Sequence, residues 1–472
     1  MVHSDAILPS VTSEKSLCVL CPVLAVVVAL KMLAGGSRAE KCKAGMHQNS
    51  PSLASDILHT SSASLAFAVD SAAAAVALPL FVDPDERGGV IFYFLRPAIG
   101  FTAAAVLLPP LLHRTRPKSS LQCTAAGLAL LSMSCLPQAM ELCSAVTALR
   151  ISRYVGAIAS ALLQVSSLHS LVMHGGPSGV GWRLNGALYG LVFGSSCGVW
   201  VIRVVSSYLG CTGTSLRAVA MLAMLSCCLH FALSSTALAL SASPRGEDRK
   251  DGQLVRSASE SWTWQQLVLL AGIGMTAAIL SLRTGLLPVF VSSFRWHAEG
   301  LPQLPTGLSA VLTGAAVLLA GVLPRCIGDN WLHAALALNA ALPAWGLRAI
   351  VNGCFGARAM EVSCGYMAVC IGLGGYLGIS VPLLARMSMR AGPPSSPVAM
   401  DISLAIVSSL FLGDGLGVAF QITLLPMIGA GRTLLGFAAC LALLASAVLM
   451  SLPWMEPNVR GLEAKVMKPM MC

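Results

Sequence analysis

Residues 145–204 read AVTALRISRYVGAIASALLQVSSLHSLVMHGGPSGVGWRLNGALYGLVFGSSCGVWVIRV, and this stretch decides the fold class. It opens as a long apolar helix carrying Arg150 and Arg153. A short turn follows at His174-Gly-Gly-Pro-Ser-Gly, and then a second apolar helix. The second helix sets Gly186, Gly190, Gly194 and Gly198 at strict i, i+4 spacing. An α-helix turns every 3.6 residues, so the four glycines form one ridge that drifts only slightly. In a soluble helix each would cost about 1 kcal/mol relative to alanine. In lipid such a ridge lets a neighbouring backbone approach closely and gain dispersion contacts. The stretch therefore predicts a helix–helix joint inside a membrane, between the fourth and fifth spans.

Composition extends that reading to the whole chain. Of 472 residues, 56% are hydrophobic and only 11% charged, with a mean hydropathy of +0.77. A soluble domain carries about 25% charged residues, so there is too little polar surface here to cover a water-soluble globule. The apolar runs recur near the roughly 20 residues that cross about 30 Å of hydrocarbon. The fold class is an all-α polytopic membrane protein, because a β-barrel would show short alternating segments instead. The net charge of +10 lies between the apolar segments, without a basic patch interleaved with aromatics, which excludes nucleic acid as a partner. Sixteen cysteines are scattered singly, and Cys18 and Cys21 form a CxxC without His or acidic neighbours. They read as small buried hydrophobes, with no metal site and no cofactor.

Residues 1–60 form an N-terminal extension. Its hydrophobic segment 17–33 has a length that fits a cleaved leader, an anchor or a further span, and 37–60 is polar. Spans are predicted at 61–82, 90–112, 120–139, 145–173, 181–204 and 217–241. After a charged linker at 242–264 come 265–290, 305–324, 331–351, 364–386, 400–425 and 432–453, then a tail at 454–472. Twelve transmembrane helices in two six-helix bundles, 61–241 and 265–453, follow from this count, as in transporters with internal repeats. With Ser61 on the cytoplasmic side, the inside loops hold Arg114, Arg116, Lys118, Arg183, Arg245, Arg249, Lys250, Arg325 and Arg386. The outside loops hold mainly Arg87, Arg295, Arg358 and Arg432, several beside acids. This bias puts linker and tail in the cytoplasm.

Several local patterns carry a family resemblance. The first span reads Phe67-Ala-Val-Asp70 with Pro79 following; His113-Arg114 and Arg325-Cys-Ile-Gly328 are worn loop motifs; and Arg153-Tyr-Val-Gly156 precedes small residues. In this order they resemble the major facilitator superfamily, and within it the drug:proton antiporters that include the vesicular amine transporters. The glycine ridge sits where those antiporters carry their fifth-helix motif, with Trp200 in place of its proline. The resemblance implies secondary transport of an amine or drug-like solute, proton-coupled antiport, and a cation on the second helix facing an acid on the eleventh.

Ionisable groups deep in lipid cost about 3 kcal/mol or more and face a cavity or a partner. Asp70, Arg96, Arg153, Arg283, Arg348 and Asp414 stand at such depths. Asp70 is either a proton or cation carrier or the partner of a neighbouring arginine. The resemblance implies that Arg96 and Asp414, in Gly413-Asp-Gly-Leu-Gly417, form an ion pair gating the cavity. Arg153, Ala157, Ser160, Gln164 and Ser167 share one polar face of the fourth span. Gln164, Asn339 and Tyr376 are candidate hydrogen-bonding contacts for a solute. The deep arginines outnumber the deep acids, which also admits an organic anion or zwitterion as solute. No HExxH, acid pair or paired His–Asp motif suggests an enzyme. The expected partners are a small-molecule solute, protons and membrane lipid, with the chain a monomer. A non-transporting scaffold or sensor on the same fold is the remaining alternative.

Overall fold

The structure, a computed structural model, describes residues 53–80, 96–115, 120–209, 212–241, 262–284, 287, 290–291, 293–294, 311–320, 329–388 and 396–451. The hydrophobic segment 17–33, most of the linker and the tail 454–472 lie outside the described residues. In chain order the helices are α1 (Leu53–Leu80), α2 (96–115, with a π turn at Ala103–Leu107), α3 (Ser120–Ala139), α4 (Ala145–Leu209) and α5 (Thr212–Ser241). The second half continues with α6 (Trp264–Thr284), α7 (Val311–Ala320), α8 (Asp329–Phe355), α9 (Ala359–Ser388), α10 (Ser396–Ile428) and α11 (Ala430–Ser451). The described residues contain helices and turns but no strand. Among the described residues, seven helices are long and apolar enough to cross a membrane. Large side chains such as Met133, Leu225, Leu338, Leu443 and Met450 point outward, as hydrocarbon solvent requires. The chain is a multi-pass membrane protein.

α1 begins at Leu53, inside the stretch expected to be a polar extension. Asp56 sits in its first turn, where a negative charge complements the helix dipole. His59 is buried and its Nδ1 lies 2.7 Å from Thr124 Oγ1 on α3, which is in turn 3.0 Å from Ser166 Oγ on α4. These polar residues are helical because they have partners inside the bundle, which a local polarity reading does not see.

α4 also differs from expectation. The residues of Ala145–Leu209, 65 in all, are locally helical, including those of the turn expected at His174. The contacts of its two ends nevertheless require the chain to double back. Arg153 pairs with Asp70 on α1, and Gly198 packs on Ala68, less than one turn away. In a straight helix these two positions would stand about 68 Å apart. By the same register Ser166 and Gly190 both lie level with His59–Thr60. The reversal therefore centres near residue 175, where the turn was expected.

The glycine ridge packs on α1, which corrects the expected joint between the fourth and fifth spans. A Cβ at Gly194 or Gly198 would collide with the Ser64 or Ala68 carbonyl, and one at Gly190 would come within 2.9 Å of Thr60 Cγ2. Ser64 Oγ donates to the Gly190 carbonyl across the same joint. The second half repeats this arrangement. Gly413 meets the Gly274 carbonyl, a Cβ at Gly417 would stand 2.7 Å from the Ala278 carbonyl, and Ser409 Oγ donates to the Leu270 carbonyl. In both halves two glycines four residues apart accept a neighbouring helix backbone, with a serine tying the joint one turn away. At the far end, Gly429 with φ +83° lets α10 and α11 abut through a single residue.

Candidate functional site

Four charged side chains meet at the level of Asp70. Arg153 Nη1 donates to Asp70 Oδ1 from α4. Arg96 on α2 reaches both acids: its Nε lies 2.8 Å from Asp70 Oδ1, and its Nη1 donates to Asp414 Oδ2 at 2.9 Å. Two arginines and two carboxylates balance, so the network carries no net charge. Asp70, Arg96 and Arg153 belong to the first half and Asp414 to the second. Arg96–Asp414 is thus an ion pair across the seam, as the resemblance implied.

The local sequence explains why the seam closes here. Gly100, one turn beyond Arg96, leaves room for the Phe411 ring, which a Cβ would strike. Phe411 in turn lies under the Arg96 guanidinium, 5.6 Å from it, a distance at which an aromatic face attracts a cation. On the other side, the Ser281 side chain of α6 neighbours Asp414. The acids keep some access, 21% for Asp70 and 24% for Asp414, against 5% for Arg153. Such a network is partly wet, so its Coulomb energy is moderate.

A second contact joins the halves elsewhere. Asn185 is fully buried, and its Nδ2 donates to the Val317 carbonyl of α7 at 2.9 Å. It lies one turn before Gly190, hence about 20 Å along α1 from Asp70. The α4 face below Arg153 is buried as well. Gln164 Nε2 donates to Ser160 Oγ at 2.9 Å, while its Oε1 is enclosed without a hydrogen-bond partner among the described residues. Tyr376 is almost completely enclosed over Gly272 of α6, its hydroxyl likewise unpartnered among the described residues.

Other candidates stand apart from the network. Asn339 donates to the Ala335 carbonyl, and its amide packs against Gly375 at the α8–α9 joint. Arg283 is buried at the end of α6, against Thr313 and Cys370. Arg348 is exposed on the face of α8 that carries Trp345 and Phe355, so it does not join the interior charges. Its helix position is deep in sequence, but α8 turns that side outward. Gly186 lies in the helical run of α4, and the Trp200 side chain is outside the described residues. Sequence reasoning missed Asn185, Gly272, Thr313 and the His59–Thr124 contact. Only the small-residue spacing Thr60, Ser64, Ala68 offered a signal for the α1 joint. Among the described residues no group of His, Cys, Asp or Glu has the arrangement of a metal site.

No protein-family model and no curated protein matches the sequence. Solved structures do match the fold. The proton:xylose symporter XylE bound to 6-bromo-6-deoxy-D-glucose superposes with a TM-score of 0.61 at 14% identity, over 84% of this chain and 94% of that one. A bacterial homologue of the iron transporter ferroportin in an outward-facing state gives 0.58 at 16%, over 84% and 99%. FucP, a major facilitator transporter in the outward conformation, gives 0.51 at 16%, over 83% and 97%. Together with the paired glycine joints of the two halves, these likenesses establish that the chain has the major facilitator fold.

Proposed function

We propose that this protein is a secondary active transporter that moves a small organic solute by alternating access, with the Asp70–Arg96–Asp414 bridge as its seam gate. The observation that carries the reading is the Arg96–Asp414 pair, a charged link between two halves that are each internally stapled. The halves also pack together along α4 against α9 and α10, and a second polar link, Asn185–Val317, lies about 20 Å away. Rocking about one contact breaks the other, which supplies the two-state element that alternating access needs. The placement of the charges supports this more than a passive scaffold, since an ion pair across a seam is an expensive way to make a permanent joint.

The drug:proton antiporter branch is the narrower form of the reading. Asp70 and the Arg96–Asp414 pair support it. The charge balance favours other solutes, because both network acids are already held by arginines. No catalytic role is proposed.

Purified protein in proteoliposomes tests the reading by counterflow uptake of pooled radiolabelled amines, carboxylates and sugars. The wild type is expected to exchange at least one pool, and Asp414→Asn to slow that exchange at least about tenfold, the equivalent of 1.4 kcal/mol at the gate. Absence of exchange from every pool overturns transport. Unchanged exchange by Asp414→Asn overturns the gate.

A further inference from the structure

The geometry points to an oxyanion subsite at Arg283, where the carboxylate or phosphate of an organic solute binds a buried arginine that lacks a carboxylate partner among the described residues. The inference rests on the transport reading for the route by which a solute arrives. The site itself stands on its own geometry.

Arg283 lies in the last turn of α6 with its side chain only 6% exposed. One of its three nitrogens, Nη1, is taken by neutral groups. Nη1 donates to Thr313 Oγ1 on α7 at 3.0 Å and points to Cys370 Sγ on α9 at 3.9 Å. A hydroxyl and a thiol orient a guanidinium, but they do not neutralise it. The surroundings are apolar: Ile279, Leu282, Leu287, Val369 and Leu373 belong to one buried cluster with Cys370. A cation in such a place is costly unless it is paired. Arg96 and Arg153 meet that requirement with Asp70 and Asp414, and those four cancel. Arg283 is left as a surplus positive charge. The α6 carbonyl dipole favours a cation at this end but supplies only about half a charge.

The unused part of the guanidinium has a definite shape. Nε and Nη2 have no partner among the described residues, yet neither is fully enclosed, so the residual access of this side chain is at that edge. The Nε–H and one Nη2–H bond run parallel along it, which matches two oxygens of a carboxylate or phosphate held side-on. Thr313 and Cys370 anchor the opposite nitrogen and so fix the direction in which this edge faces. A protonated amine would find like charge here and no acceptor on the arginine.

Equilibrium binding by the purified full-length protein tests this without requiring transport. Succinate, inorganic phosphate, chloride and ethylamine are titrated in phosphatidylcholine nanodiscs, with a parallel series in which phosphatidylglycerol replaces part of the lipid. Succinate or phosphate is expected to bind saturably, and ethylamine is not. Arg283→Lys keeps the charge but loses the parallel edge, and is expected to weaken binding about tenfold. Arg283→Gln removes the charge and is expected to weaken it at least about thirtyfold. Gly436→Ala, where an added Cβ meets nothing within 4 Å, is expected to leave it within about twofold. Binding that survives Arg283→Lys and Arg283→Gln unchanged overturns the subsite, as does the absence of oxyanion binding. Stabilisation by phosphatidylglycerol alone, erased in Arg283→Lys, assigns the arginine to a lipid phosphate and overturns the solute reading. Oxyanion binding without any exchange in proteoliposomes leaves the subsite intact and removes transport, whereas exchange of amines without oxyanion binding does the reverse.

Discussion

The four-charge network makes a prediction that a simple two-residue bridge does not. Asp414→Asn leaves Asp70 facing two guanidinium groups, a surplus of one positive charge. Neutralising one partner of a buried pair costs ~3–5 kcal/mol. Asp414 keeps 24% of its surface, so about 2–3 kcal/mol is expected here. Arg96→Gln leaves the opposite surplus and strips a contact from both acids, for about 3 kcal/mol. The double variant keeps only Asp70–Arg153, which is balanced within one half. Its cost should be about 3–4 kcal/mol and not the sum of the singles, giving a coupling of about 2 kcal/mol. The exchanged variant, Arg96→Asp with Asp414→Arg, would rescue an isolated bridge. In this network it puts a second carboxylate beside Asp70 and should be less stable than either neutralised single. Reversible unfolding in mixed micelles, run as a double-mutant cycle, measures all four. Additive singles within about 0.5 kcal/mol, or rescue by the exchange, would refute the reasoning.

Two further predictions concern packing. Tyr376→Phe removes a hydroxyl that is enclosed without a partner among the described residues, and should leave stability unchanged or raise it by about 1 kcal/mol in the same unfolding assay; a loss above that would mean the hydroxyl has a partner in the folded state. Gly198→Ala drives a Cβ into the Ala68 carbonyl, whereas Gly436→Ala meets nothing within 4 Å. The first should cost about 1–3 kcal/mol or more, while the second should be neutral or gain up to about 1 kcal/mol.

Much of the fold was legible because the apolar runs are long and the charges sit between them. α3 begins and ends where the pattern places it, and α9, α10 and α11 lie within about five residues of their predicted bounds. α1 was less legible: Asp56 and His59 look like loop residues until Thr124 and Ser166 are seen beside them. The partner of the glycine ridge was misjudged because sequence neighbours were preferred to spatial ones. A ridge states that some backbone comes close, and only the matching spacing Thr60, Ser64, Ala68 names which. Arg96, Asp414 and Arg153 could be singled out from the cost of charge in lipid together with the family order. The bidentate use of Arg96 could not, since it depends on the rotation of α2 and α10 about their axes. Arg348 shows the limit of depth alone, because its helix turns it away from the interior.

The network also says which charge is exposed when the seam opens. Within the halves the joints are backbone against backbone, at Gly198 on Ala68 and at Gly413 on Gly274. Such joints have no side chain to extend, so they either hold or separate completely. Across the seam the polar links run through side chains, at Arg96–Asp414 and Asn185–Val317, beside the packing of Phe411 on Gly100. Separation leaves Arg153–Asp70–Arg96 together with one surplus positive charge and Asp414 alone with one negative charge. Each must be neutralised or hydrated, and a proton on Asp414 is the smallest group that can do so. We propose that any coupling to protons resides in Asp414 and not in Asp70, which is paired with Arg153 inside its own half. Exchange measured between pH 5 and pH 8 should then lose its pH dependence in Asp414→Asn. A pH profile that survives in Asp414→Asn but disappears when Asp70 and Arg153 are neutralised together would place the coupling in the first half instead.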